Sequence, residues 1–479
     1  MKSLLDVLFI QPIVHRKQKL LHVIMPVGVF GLATILAKSG IKTRIIHQGI
    51  EELLNPSFSI ETCIETYNPK IVCLSLHWYV HTYEVIKIAQ IAKKVSGALI
   101  VLGGFTATFY DLDILKNFPF IDVVIRGDGE IPLFNLVKSY LENKPFKDIP
   151  NITFRSNGKI RQNKVEYINR NLKDTPSPNF NYLQNWEKYF TINLSGKPEV
   201  PLYAIFDEEM PKAFDLVYFR GCPFQCSYCS GGKEIQSRIF FRDSFEFRNL
   251  IALIKDCQTL KKQGIEEIRI EYIPYKGLKE YYLKFFKILK KQGLSFSARV
   301  SLWNIPPKNI LEAICNTFNH ITFVLSPDSA SEKVRRKNKG IFYSNEKLLN
   351  FLEFAKNKQY KTQLWFMTGL PGETLKDYQQ SLKFAKMLLL EKMISDATCV
   401  ALNIEPASPL YFNPEKYKLK LFRQCFMDFY KWGKEVSSGQ KLTHYLGFEK
   451  HNLSESQILE MAKNFNREIQ KVKFKNAIR

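Results

Sequence analysis

The sequence predicts an α/β protein built in two parallel-sheet units: a doubly wound Rossmann or flavodoxin-like sheet, then a partial (β/α)6 TIM-like barrel, then a mostly helical C-terminal tail. Three observations carry this expectation. Short apolar runs alternate with helix-period stretches over the first 140 residues, the rhythm of a sheet covered by helices. The same alternation resumes at Phe214 after a proline-rich interval. And 479 residues exceed what one hydrophobic core ordinarily holds, so two or three domains are expected.

The first unit is expected over residues 1–142, with strands at 4–12, 43–47, 71–77, 98–102 and 121–126 and helices at 27–39, 60–67, 83–95 and 112–117. Sheets of this kind bind ligands beyond the carboxyl ends of their strands. Two loops lie there, Gly103-Gly104-Phe105-Thr106-Ala107-Thr108 and Gly127-Asp128-Gly129-Glu130. Glycine lets a ligand approach the backbone closely, and the hydroxyls of Thr106 and Thr108 are candidate donors. The plainer alternative is a pair of strand-to-helix turns. Neither loop matches the dinucleotide fingerprint.

Residues 143–210 read as a linker, because Pro176, Pro178, Pro198 and Pro201 suit extended connections. A hairpin is expected inside it at 152–161, turning on Asn157-Gly158. The barrel unit is expected over 211–410, with strands at 214–219, 267–273, 295–302, 320–325, 362–368 and 397–404 and helices at 245–263, 279–292, 307–318, 345–358 and 375–390. Its active site belongs at the carboxyl ends of the strands. Residues 411–479 form the tail, with Trp432, Tyr445 and Phe448 expected to cover substrate.

Composition narrows the class. No apolar run reaches the length of a membrane span, and residues 4–14 are too short for one and interrupted by Asp6, so a cytoplasmic protein is expected. Nine cysteines, six scattered and three clustered, suit a reducing compartment and not a disulfide scaffold. The net charge of +23 invites a nucleic-acid reading, but the lysines are dispersed and no Arg-rich, aromatic-interleaved block stands outside the tail at 471–479. A solvated basic surface is the favoured reading, and it would suit acidic substrates or an acidic redox donor.

The cluster is Cys222-Pro-Phe-Gln-Cys226-Ser-Tyr228-Cys229, directly after the Arg220-Gly221 break. Cys226 and Cys229 alone would also suit tetrahedral zinc, but the next Cys or His is Cys257, inside a helical pattern. Three thiolates on one loop fit a four-iron cluster better, and they leave one iron open for a ligand that is not protein.

The C-x-x-x-C-x-aromatic-C form, with Tyr228 as its aromatic, resembles the radical S-adenosylmethionine (SAM) superfamily. The resemblance implies that Cys222, Cys226 and Cys229 hold a 4Fe-4S cluster, that SAM occupies the open iron, and that one electron releases a 5′-deoxyadenosyl radical. The loops at 369–374, containing Gly369, and 326–331, containing Asp328 and Ser329, resemble SAM-contacting segments of such barrels. In the second, Ser326 and Ala330 stand where relatives often have glycine. Ser329 is equally a candidate helix cap. Glu271 and Arg299 project from the second and third strands as candidate partners for the methionyl charges.

The N-terminal unit resembles the cobalamin-binding domain that precedes many radical SAM barrels. The resemblance rests on Pro26-Val-Gly28-Val-Phe-Gly31, Gly103, Gly104, Thr106, Thr108, Gly127, Gly129 and Glu130. The Asp-x-His-x-x-Gly loop that supplies a lower histidine ligand elsewhere is absent; His15 and His22 in the first loop read as solvent-facing, so cobalamin without a protein histidine ligand is expected. Together the resemblances imply a cobalamin-dependent radical SAM enzyme methylating an unactivated carbon, served by a flavodoxin or ferredoxin type electron donor. The substrate could be a small molecule, a lipid or a peptide. Cobalamin-dependent rearrangement or cyclisation, RNA modification and a non-catalytic metal sensor stand as alternatives.

Overall fold

Val7–Gln11, Ile71–Ser75 and Leu99–Gly103 are apolar and buried at nearly every position, which a strand tolerates only when helices cover both faces of its sheet. The computed structural model describes residues 4–16, 19–21, 25–190, 212–243, 245–275, 277–439, 444–450 and 452–478, and it places these strands at the centre of a seven-stranded sheet. Five parallel strands lie in the spatial order Thr43–His47, Val7–Gln11, Ile71–Ser75, Leu99–Gly103, Val123–Ile125. That is the flavodoxin order, in which the topology switches between the first and third strands. Val7, Phe9, Cys73 and Val101 pack on one face against Phe30, Leu36 and Leu133. Leu8, Ile10, Val72 and Ile100 pack on the other against Ile64, Val85 and Ala89.

The hairpin forms where expected but does not act as a linker. Ile152–Ser156 pairs antiparallel with Val123–Ile125, and Lys159–Gln162 adds a further strand, so the N-terminal sheet continues past residue 142. Asn157 and Gly158 take φ of 49° and 72°, as a type I′ turn demands of both central residues. Pro198 and Pro201 lie outside the described residues.

The second sheet is an open half-barrel of six parallel strands in chain order: Ala213–Asp215, Glu267–Tyr272, Ser297–Leu302, Ile321–Asp328, Lys361–Thr368 and Asp396–Ala401. Ile268, Ile270 and Tyr272 are buried in its core, while Glu267, Arg269 and Glu271 alternate onto the less covered, concave face. The first strand is shorter than expected. After Asp215 the chain leaves the sheet, and Phe219–Arg220 pairs antiparallel with Glu246–Phe247 instead, which swings the following loop over the barrel mouth.

The tail is built into the fold more deeply than the substrate covering expected of it. The helix Glu455–Ile478 packs along the last strand, where the Asn466 side chain accepts from Cys399 N–H and donates to Cys399 C=O, both at 2.9 Å. One amide thus replaces a neighbouring strand at a free sheet edge. The helix Phe426–Ser438 crosses to the other unit, where Phe426 and Phe429 enter its core. Trp432 is buried beside the Arg423 guanidinium, 4.7 Å from its ring centre, and Phe448 lies in the strand Phe448–Lys450.

Candidate active site between the two sheets

Gly221, at φ 98°, turns the chain out of Phe219–Arg220 and starts the cysteine loop. Cys222, Cys226 and Cys229 are partly exposed, and each of the first two adds to the charge felt at Cys229. Gly340 N–H donates to Cys226 Sγ at 3.2 Å and Gly231 N–H to Cys229 Sγ at 3.3 Å. Such donors favour a thiolate. Burial alone works against it, pushing the Cys222 thiol up to about 11 and the other two above their usual range, so loading a metal must release protons. Among the described residues no three His, Cys, Asp or Glu groups converge on a single ion. The donor set therefore fits three irons of a cluster better than one tetrahedral zinc.

Neighbouring strand ends clamp this loop on two sides. Ser227 N–H donates to Asn338 O and Ser227 Oγ to Asn338 Oδ1, both at 2.8 Å. Tyr228 OH donates to Asp328 Oδ2 at 2.6 Å, and Lys339 Nζ reaches the same oxygen at 3.1 Å. A Cβ at Gly340 would stand 2.4 Å from Gln225 N, so only glycine permits that approach. From the last strand's end, Glu405 Oε2 accepts from Ser230 N–H at 3.0 Å and Ser230 Oγ at 2.7 Å. Asn338, Lys339 and Gly340 carried no motif and were missed from sequence; their role comes from being brought against the loop.

The expected SAM contacts divide. Asp328 stays at the site, at φ 62° and in hydrogen-bond contact with Tyr228 and Lys339. Ser329 does not: it is fully buried, its hydroxyl lies 3.3 Å from Ser381 Oγ, and it accepts from Ser331 N–H. Gly369 also turns away, because a Cβ there would meet Ile458 of the long tail helix at 2.9 Å. The Glu373 carboxylate folds back onto Gly369 N–H at 2.5 Å and Thr368 Oγ1 at 3.0 Å. Arg299 is engaged by Gln363 across the concave face, and burial followed by Arg269 pulls its pKa down to about 10. Glu271 lies on the same face nearer the strand end, makes no ion pair among the described residues, and burial pushes its carboxyl up to about 8.

A cavity of about 520 Å³ opens between the strand ends of the first sheet and the cysteine loop. Gly28, Gly103, His77 and Trp78 line it from the first unit, and Gly221, Gln236, Phe240 and Arg242 from the second. Cβ atoms at Gly28 and Gly103 would meet nothing within 4 Å, so both glycines leave room a ligand can fill. Gly104 serves the fold instead, since at φ 108° its Cβ would strike the His77 and Leu76 backbone at 2.8 Å. Thr106 and Thr108 direct their hydroxyl protons to protein. Thr106 Oγ1 donates to His77 O at 2.9 Å, and Thr108 Oγ1 donates to Gly104 O at 2.8 Å while accepting from Gly127 N–H at 3.1 Å. They hold the two loops together.

Glu130 lines the cavity and is also held by protein through Oε1, while its Oε2 is buried without a hydrogen-bond partner among the described residues. Arg220 Nη2 reaches Glu130 at 2.6 Å and Arg220 Nη1 reaches Asp128 at 2.9 Å, while Arg242 reaches Asp128 at 2.6 Å. Burial works to raise the Asp128 pKa, but Arg220 and Arg242 outweigh it and hold the carboxyl below its usual range. Arg220 stands two residues before Cys222, so this network joins the Gly127–Glu130 loop to the cysteine loop. Gly127 and Gly129 line the cavity beside it. His15 lies in the strand Val14–Arg16, and His22 is outside the described residues.

Known proteins match this arrangement. The family model of the radical SAM superfamily matches residues 216–385, so the chain carries a domain of that superfamily. The model of the B12 binding domain matches residues 17–137, so a B12 binding domain precedes the radical SAM domain. It is 25% identical over 444 residues to an uncharacterized methyltransferase of Pyrococcus horikoshii, covering 85% of this chain and 87% of that one. It is 27% identical over 345 residues to the anaerobic magnesium-protoporphyrin IX monomethyl ester cyclase of Rubrivivax gelatinosus, covering 67% of this chain and 55% of that one. Its fold matches the radical SAM methyltransferase TsrM of Kitasatospora setae, solved with cobalamin and a 4Fe-4S cluster, at a TM-score of 0.64 and 14% identity over 88% of this chain and 81% of that one. Among the described residues no helix is long and apolar enough to cross a membrane.

Proposed function

We propose that the protein is a cobalamin-dependent radical SAM methyltransferase acting on an unactivated carbon. The observation that supports it best is the shared cavity, lined by Gly28 and Gly103 of the B12 binding domain and by Gly221 beside Cys222. When bound, the cofactors supply a transferable methyl group and a radical able to take a hydrogen atom from carbon. The protein's part is to hold and aim them. Cys222, Cys226 and Cys229 are the thiol ligands, with Tyr228, Asn338 and Glu405 keeping their loop over the barrel mouth. Glu271, raised to about 8, is mostly protonated at neutral pH; an approaching methionyl ammonium would draw it into the carboxylate form. Gly28 and Gly103 keep the first sheet's strand ends open to the corrin.

The cyclase relative supports a second reading, a cobalamin-dependent radical cyclisation without methyl transfer. Product mass separates the two. Anaerobically reconstituted protein given SAM, cobalamin and a reductant of flavodoxin or ferredoxin type is expected to form 5′-deoxyadenosine and a product heavier by one CH₂. A product without that gain favours cyclisation. Cys226→Ala is expected to lose both the cluster's visible absorption and 5′-deoxyadenosine; persistence of either would overturn the assignment.

A further inference from the structure

His77 lies two residues past the end of the third strand, Ile71–Ser75, at the topological switch, and its side chain is exposed to the cavity. Its backbone is held rigidly. Thr106 donates twice to His77 O, from Oγ1 at 2.9 Å and from N–H at 3.3 Å, and Gly104 packs against the His77 peptide so closely that no other residue fits. Trp78 and Phe105 flank the ring, at 5.6 and 6.4 Å between ring centres. Among the described residues neither ring nitrogen has a hydrogen-bond partner. An apolar setting, a fixed backbone and an unengaged imidazole are the ingredients of a metal ligand and make little sense for a packing residue.

The opposite wall explains which metal. Gly221, Gln236, Phe240 and Arg242 close the cavity from the side of the cysteine loop. A flat macrocycle bound between these walls would have His77 on one side and the loop that begins with Cys222 on the other. Other donors on the first wall are less suited. Burial pushes the Cys73 thiol far above its usual range, His81 is 4% exposed and has a partner of its own, and Glu130 has one oxygen taken by Arg220 and is offset toward the Gly127–Glu130 loop.

Resting on the cobalamin reading above, we propose that His77 coordinates cobalt on the corrin face turned toward the first sheet, leaving the face toward the cysteine loop for the reaction. The proposal departs from the expectation of cobalamin without a protein histidine ligand, and the histidine it names follows the third strand and is not one of the two in the first loop.

The test loads the full-length protein with cob(II)inamide, which lacks the nucleotide base and so brings no nitrogen ligand below the ring. Electron paramagnetic resonance is expected to show the cobalt lines split into triplets by one nitrogen, and into doublets when the protein is grown on heavy-nitrogen histidine. His77→Ala and His77→Phe are expected to retain corrinoid through gel filtration and lose the splitting. Corrinoid bound to the unaltered protein without nitrogen splitting, or splitting that survives in His77→Ala, would overturn the ligation while leaving cobalamin binding intact. Failure of the unaltered protein to retain any corrinoid would overturn both.

Discussion

Two adjacent glycines at the end of one strand have opposite roles. Gly103 has an open Cβ direction into the cavity, whereas Gly104 sits at φ 108° with backbone 2.8 Å from where a Cβ would be. Gly103→Leu should therefore leave the fold standing and obstruct the cofactor cavity, read as lost corrinoid retention with a thermal midpoint changed by little. Gly104→Ala should cost stability, on the order of 1–3 kcal/mol for a strained left-handed residue plus the contact, read as a lower denaturant midpoint. Equal effects of the two on the midpoint would contradict this division. Both glycines were visible in the sequence as one Gly-Gly signal. Their roles were not, because the difference lies in what stands opposite each α-carbon. Thr106 and Thr108 teach the same lesson, since a hydroxyl in a cofactor loop serves the loop's own carbonyls when those are nearer than any ligand.

At the scale of elements, the last barrel strand is a free edge made safe by a side chain. Asn466 satisfies both backbone groups of Cys399, and a buried donor and acceptor left without partners cost about 1–3 kcal/mol each. Asn466→Leu should accordingly lower the unfolding free energy by about 2–6 kcal/mol, and hydrogen exchange should accelerate at Cys399 before it does at the central strand Ile321–Asp328. Unchanged exchange at Cys399 would show that the helix covers the edge without the amide. The strands themselves were legible: the alternation of Glu267, Arg269 and Glu271 with Ile268, Ile270 and Tyr272 is a period of two. The early departure of the chain after Asp215 was not legible, because Phe219 is as apolar as a sheet residue and only its pairing with Phe247 decides its place.

For the whole molecule, the contact that matters most is the buried network of Asp128, Glu130, Arg220 and Arg242 between the B12 loop and the cysteine loop. Arg242→Met would leave Asp128 half paired in a dry site. Breaking a buried pair costs about 3–5 kcal/mol, and here the expected result is loss of corrinoid retention together with a lower thermal midpoint. The network also sets a pH dependence. The folded Asp128 pKa lies below its unfolded value, so the stabilisation is present above the unfolded pKa of about 3.9 and fades as pH falls through the lower folded value. Stability and interdomain order should hold at neutral pH and decline in acid below about pH 4, with that component of the decline reduced in the Arg242→Met protein, where Arg220 alone still pairs with Asp128. An acid profile identical in both proteins would remove Asp128 as its source.

The sequence by itself determined the two sheets, their order in the chain and the clustering of three cysteines on one loop, since hydrophobic period and cysteine spacing are local quantities. Tertiary structure decided what those parts face. It carried the hairpin into the first sheet, gave Ser329, Gly369 and Glu130 structural partners, and brought Asn338, Lys339 and Glu405 to the cysteine loop. It also placed Gly103 and Gly221 on one cavity. Contacts between residues separated by 75 to 175 positions, such as Ser230 with Glu405, follow from how strands order and sheets twist, which no short window of sequence contains.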